Sequence, residues 1–410
     1  MRALVHKHKS DMIIFLSVVS CMIIYNLIHY QSLYIQTPDG TLYLSVAKNF
    51  IENGHFIQTA RPYETNMIVP PGLPFIFTII LGLTYDHFII VIMQYILFGA
   101  SAVLLAKASR FIFKSDFTNF IIPLLFISAC FYVKEPNPGE LISETYTVFF
   151  LSIISYFSLN PDIKIEKKST IVTVLSFVAY LIRPSVGGMF LVSIIVIGIL
   201  TIMRKFAWKR LIACALSFIT VLGLNTIVNY RETGYVVILE NYGSIPFYQA
   251  NNSETKTYTY SSALMEEFSD QYFIDTYNNE NLDMNEKNER LRTRTVEFIL
   301  NNIAFVAENT KIKYESLFIK PWNWNFYILF ASVLYWAIRK RVSWVYALLT
   351  LLSFILLTII PAFGLYIFRY AVPCIPFYLL WNGTLYTWMV DAAFRHISHL
   401  TSEKNTTLND

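Results

Sequence analysis

Ten apolar runs divide the chain, at roughly 12–30, 73–106, 119–134, 145–159, 169–182, 185–203, 211–229, 323–338, 343–361 and 372–390. A helix rises about 1.5 Å per residue and a bilayer's hydrocarbon core is about 30 Å thick, so the longer runs predict transmembrane helices. The shorter ones predict helices whose ends continue into flanking polar residues. Arg2, Lys7 and Lys9 precede the first run; Lys107, Arg110 and Lys114 follow the second; Lys164, Lys167 and Lys168 follow the fourth. Arg204, Lys205, Lys209 and Arg210 follow the sixth, and Arg339, Lys340 and Arg341 follow the eighth. Every second loop is therefore basic, which predicts that these loops and both termini face the cytoplasm. The parity hangs on 73–106, which is too long for one untilted span and is interrupted at Tyr85-Asp86-His87. A two-span hairpin there would put most basic loops outside, so the run is read as a short membrane-dipping helix followed by one span.

The remaining polar segments then gather on one outer face: Gln31–Gly72, Lys134–Glu144, the Arg183-Pro184 turn, Tyr230–Trp322 and the Arg369-Tyr370 region. The first part of 230–322 is rich in Asn, Tyr, Ser and Thr and reads as irregular or lightly β. From Asn285 to Phe318 the positions Leu291, Phe298, Ile299, Ile303, Val306 and Ile312 fall roughly on one helical face, predicting a helix along the outer membrane surface. The expected architecture is an all-α polytopic membrane protein of about 10–11 spans. Residues 1–229 form an N-terminal transmembrane module with its first external loop at 31–72, followed by an external segment at 230–322, spans over 323–390 and a cytoplasmic tail at 391–410. No internal repeat stands out, against a transporter of the inverted-repeat kind.

Composition sharpens this picture. With 55% hydrophobic and 15% charged residues the chain belongs with membrane proteins, and a net charge of +4 is too small to suggest nucleic acid. Cys21, Cys130, Cys214 and Cys374 each lie in an apolar run without a CxxC, as small buried hydrophobes and not disulfides or metal ligands. The basic N-terminus and first apolar run resemble a signal peptide, but no small-residue cleavage site follows Tyr30, so the run reads as an uncleaved span.

The candidate chemistry starts in the first outer loop. Asp39 comes after a proline at the start of a helical pattern, Leu42, Val46 and Phe50, where it could serve as the N-cap. A cap alone does not account for the rest of the loop, with its Gly54-His55-Phe56, Arg61-Pro62-Tyr63 and Pro70-Pro71-Gly72-Leu73-Pro74. The order Asp39, Tyr43, Ala47, Gly54, Phe56 and then Pro-Pro-Gly-Leu-Pro resembles the first external loop of GT-C glycosyltransferases. The similarity is to the bacterial members grouped with protein O-mannosyltransferases and with the aminoarabinose transferase of lipid A. Ser143-Glu144-Thr145-Tyr146, Leu181-Ile182-Arg183-Pro184 and Arg369-Tyr370 with Pro373 and Pro376 agree in order, so the resemblance covers roughly residues 12–390. Val69 stands where the aminoarabinose branch carries a lysine, which argues against that substrate.

The resemblance implies a GT-C-type bundle in a bacterial plasma membrane with its site on the external face. It implies transfer of a sugar from a polyprenyl phosphate to an acceptor hydroxyl, a glycan or glycolipid being favoured over a protein. In that chemistry a carboxylate takes the acceptor proton and cations stabilise the departing lipid phosphate. Asp39 would be the base and Glu144 the second external acid, positioning the acceptor or binding a metal; Arg61, Arg183 and Arg369 would meet the phosphate. Tyr43, His55, Tyr63 and Tyr370 are the substrate-lining candidates, although His55 beside Gly54 also reads as plain loop structure. The aromatics of 321–327 could stack on sugars, or belong to an interfacial belt. There is no DxD and no histidine cluster, so no cofactor is implied, with a divalent metal left open. A lipid-linked glycan flippase, an O-antigen polymerase or ligase, and a non-catalytic scaffold are the alternatives.

Overall fold

The computed structural model describes residues 2–61, 64–133, 136–254, 270–316, 323–342, 344–362 and 372–407. In chain order its helices are α1 (Arg2–Tyr30), α2 (Pro38–Asn53), α3 (Gly72–Thr84), α4 (Phe88–Ile112), α5 (Thr118–Val133), α6 (Ser143–Leu159), α7 (Ile165–Ile182), α8 (Gly187–Ile202) and α9 (Trp208–Thr233). They continue with α10 (Ser244–Ala250), α11 (Gln271–Tyr277), α12 (Met284–Asn301), α13 (Ile303–Tyr314), α14 (Asn323–Ile338), α15 (Trp344–Ala362) and α16 (Ile375–Thr407), and a 3₁₀ turn at Pro184–Val186 joins α7 to α8. Helices satisfy their own backbone hydrogen bonds, which is what an apolar run needs where water is absent. Lys9–Tyr30, Phe88–Ile112, Pro184–Ile202 and Trp208–Thr233 are long and apolar enough to cross a membrane. In α9 only 6% of the apolar window is buried against protein. Ile212, Leu216, Ile219, Leu224 and Ile227 are left on its surface. An apolar face of that extent is stable only beside another apolar phase, so the molecule is an all-α membrane protein.

The 73–106 run breaks at Tyr85, whose φ of 58° is left-handed, into the 13-residue α3 and the 25-residue α4. At about 1.5 Å per residue, α3 reaches only about 20 Å, short of a hydrocarbon core. Near the start of α1, Asp11 pairs with Lys107 at 2.9 Å and Arg110 at 3.1 Å, both near the end of α4. Towards the other end of α1, Asn26 donates to the Tyr95 phenol at 2.6 Å. Helices α1 and α4 are thus antiparallel, so α3 does not reverse the chain across the bundle. The same basic end holds an Arg210–Glu166 pair at 2.7 Å, joining the starts of α9 and α7, and a Ser115 hydroxyl donating to Asp391 at 3.3 Å. The opposite, polar end carries the connections after α1, α5, α7 and α9.

Among the described residues the stretch read as irregular or lightly β is irregular apart from the short α10 and α11 and holds no strand; the one bridge, Ile35 with Glu140, lies elsewhere. The single surface helix is two, broken at Asn302, where φ is −134°. That break turns the face, so Leu291 and Val306 are buried while Leu300 and Ile303 are 67% and 64% exposed. The stretch from 391, read as a tail, continues α16 to Thr407. Neither Gly nor Pro interrupts it after Gly383, and Asp391 braces Arg395 one turn on at 2.6 Å. The four cysteines are free thiols, Cys130 and Cys374 buried and Cys21 and Cys214 partly so.

Candidate functional site

Helix α2 starts with Pro38, whose fixed φ suits a first turn, and is capped by Thr37, whose hydroxyl accepts the Gly40 N–H at 3.0 Å. The capping role open to Asp39 is therefore filled by its neighbour. Asp39 sits in the first turn, where the helix dipole favours a carboxylate, and its Oδ1 lies 3.6 Å from Nη2 of Arg61. Gly54 ends α2 at φ 73°, a conformation that costs a glycine little, and sends the chain back toward this end.

Gln58 shapes the return. Its side-chain carbonyl accepts the Arg61 N–H at 2.8 Å, and its amide donates to the carbonyls of Arg61 at 2.8 Å and Glu64 at 2.9 Å. This turn sets Nη1 of Arg61 3.3 Å from Glu64, which also accepts the Tyr277 phenol. Lys287 stands over the Tyr277 ring at 5.7 Å. Burial lowers the ammonium's pKa, while the charges of Glu64, Asp283 and Glu280 act in the opposite direction. The external segment is stitched to the loop by backbone: Met284 N–H donates to the Thr65 carbonyl at 3.0 Å. Asn241 accepts from Ile68 N–H at 2.7 Å and donates to the Asn66 carbonyl at 2.7 Å.

A second, sealed layer lies at the tops of α6 and α7. Glu144, in the first turn of α6, is 0% exposed and ion-paired with Arg183, which caps α7. Arg183 also donates to the Ser143 hydroxyl from Nη1 and to the Ser185 hydroxyl from Nε, each at 3.1 Å. Two glycines seat the first loop on this layer. A Cβ on Gly40 would lie 3.2 Å from the Cβ of Leu141, and one on Gly72 only 2.7 Å from the backbone nitrogen of Ile182. Backbone cannot swing aside, so Gly72→Val should destabilise the protein by about 1–3 kcal/mol. A thermal midpoint unchanged from wild type would show that α3 is not seated on α7 in this way.

The structure thus brings Asp39 and Arg61 together in one layer and Glu144 and Arg183 in another. Tyr43 is 7% exposed and packed in the core. His55 points away, with Nδ1 2.8 Å from Glu232 at the end of α9. Tyr63, Arg369 and Tyr370 lie outside the described residues, as do Pro321 and Trp322 of the aromatic stretch. Glu64, Tyr277 and Lys287 escaped sequence reading. Only Glu64 left a signal, an acid three residues after Arg61 and just before the apolar Met67-Ile68-Val69.

Glu240 is a further acid of this face, within electrostatic reach of Tyr180, one turn below Arg183. Burial pushes its carboxyl up to about 7, partly offset by a hydrogen bond from Tyr242. With the folded value raised above the ordinary 4.5, its contribution to stability is complete below pH 4.5 and is lost as pH rises through about 7. Glu240→Gln should therefore stabilise the protein at pH 8 and leave it unchanged near pH 4.5, as read by melting at both values. Equal effects at the two values would exclude a raised carboxyl at Glu240. Among the described residues no group of three or more His, Cys, Asp or Glu is arranged to hold a metal ion. No protein-family model, curated protein or solved structure matches the chain.

Proposed function

We propose that the protein is a membrane glycosyltransferase that moves a sugar from a polyprenyl-phosphate donor to a hydroxyl of a glycan or glycolipid, at the external face of a bacterial plasma membrane. The observation that supports it best is the Asp39–Arg61 pair at the polar end of a membrane bundle. Its side chains are 29% and 21% exposed, whereas those of Glu64, Glu144 and Arg183 are 2%, 1% and 7% exposed. A carboxylate and a guanidinium within reach of solvent, on a rigid buried base, suit a reaction that forms one C–O bond and breaks another. The acceptor oxygen attacks the anomeric carbon, Asp39 takes its proton, and the donor C–O bond breaks with its electron pair leaving on the lipid phosphate. Arg61 offsets that developing charge. In this reading Glu144 and Arg183 are positioning residues that fix the ends of α6 and α7 under the loop.

A flippase needs polar or charged groups along the middle of its spans. Here the acidic and basic residues of α1, α4 and α9 stand near helix ends, and α8 has none, so transfer is the better reading. Protein reconstituted in nanodiscs with a radiolabelled polyprenyl-phosphate hexose and cell-envelope glycolipid should release polyprenyl phosphate and label the glycolipid. Surface glycans from cells lacking the gene should miss one sugar by mass spectrometry. Intact donors across a panel of hexoses and pentoses, with an unaltered glycan profile, would overturn the proposal.

A further inference from the structure

A cavity of about 360 Å³ lies away from the Asp39–Arg61 pair, between α6, α7, α8, α15 and α16. Its wall runs from Met189 to Leu200 on α8, a distance of about 16 Å at about 1.5 Å per residue. That is close to the depth of one bilayer leaflet, half of about 30 Å. Most of the lining is apolar, including Val172, Val196 and Phe377. At the basic end of the bundle the lining changes to Lys168, in the first turn of α7, and Arg341, in the turn after α14. Among the described residues neither side chain has a carboxylate within ion-pair distance. The Thr173 hydroxyl, which lines the cavity one turn deeper than Ser169, is 1% exposed and has no hydrogen-bond partner among those residues.

An apolar slot one leaflet deep, with two cations toward one rim and an orphan hydroxyl further in, has the chemistry of an anionic amphiphile. A free phosphate would leave the slot unused, and a neutral lipid would leave the cations unmatched. We propose that this cavity holds the phosphate ester of a lipid, its chain along α8 and its phosphate between Lys168 and Arg341. The basic loops at this end face the leaflet rich in anionic headgroups if the positive-inside rule holds, which supplies such a ligand. The site is at the end of the bundle opposite Asp39 and is independent of the reaction there.

The test uses the full chain in a neutral maltoside detergent, with dodecyl phosphate, inorganic phosphate and additional dodecyl maltoside as probes of thermal midpoint. Dodecyl phosphate should raise the midpoint and the other two should not. Lys168→Gln/Arg341→Gln should weaken the dodecyl phosphate response at least tenfold in concentration, and Arg341→Gln alone, at an exposed position, should weaken it in part. Native mass spectrometry from nanodiscs containing phosphatidylglycerol should show the lipid retained by wild type and lost from the double variant. An undiminished response in the double variant, or an equal response to inorganic phosphate, would overturn the proposal. If the double variant does not fold, an undiminished response in Arg341→Gln decides against it.

Discussion

Replacing Asp39 with Asn should lower sugar transfer by about 10²–10⁴-fold, the contribution expected of a general base, with little change in stability. The helix does not depend on this carboxylate for its cap, because Thr37 fills that role. Its pairing with Arg61 at 3.6 Å is partly exposed, and such pairs contribute at most about 1 kcal/mol. Activity and stability are therefore separable at this position, which is rarely so for a buried acid. Initial rates with labelled donor, read beside a melting curve, check both halves. A rate near wild type would remove Asp39 from the chemistry. If Glu64→Gln alone then abolished transfer, the base would be the acid on the other side of Arg61.

The second large effect concerns folding. Arg183→Met should destabilise the protein by about 3–5 kcal/mol, because Glu144, at 0% exposure, would lose the cation that balances its buried charge. Adding Glu144→Leu should recover much of that loss, since removing both charges leaves nothing uncompensated in the bundle. Midpoints of the two single variants and the double variant form the cycle. Additive losses would mean that the pair does not couple α6 to α7. A recovered midpoint without recovered transfer would identify the pair as a support for the loop above it.

The sequence and the tertiary structure answer different parts of the problem. The longest apolar runs already predicted the four helices that, among the described residues, are long and apolar enough to cross a membrane, because twenty apolar residues have few other stable arrangements. The basic loops predicted the end-to-end sorting that the Asp11, Lys107 and Arg110 contacts display. The interruption at Tyr85 was visible as three polar residues, and the antiparallel α1 and α4 agree with a single crossing over 73–106. The external segment was less readable. Its helices are short, and a polar surface helix has little periodicity to separate it from a loop. The break at Asn302 carries neither Gly nor Pro and so gave no warning.

In the candidate site, Asp39, Arg61, Glu144 and Arg183 could be picked out because charge beside an apolar run is costly without a reason. Which of them face water could not. Glu144 and Asp39 look alike in sequence, each in the first turn of a helix at the polar end. Burial separates them, one sealed under Arg183 and the other open beside Arg61, and burial is set by the neighbouring helices. Tyr277 and Lys287 join Glu64 from more than two hundred residues away. The sequence by itself determined an all-helical membrane chain, its sorted ends and the loop where charge collects. Only the tertiary structure decided which charges are sealed and which are reachable, because desolvation depends on what packs around a residue and not on the residue's own run of sequence.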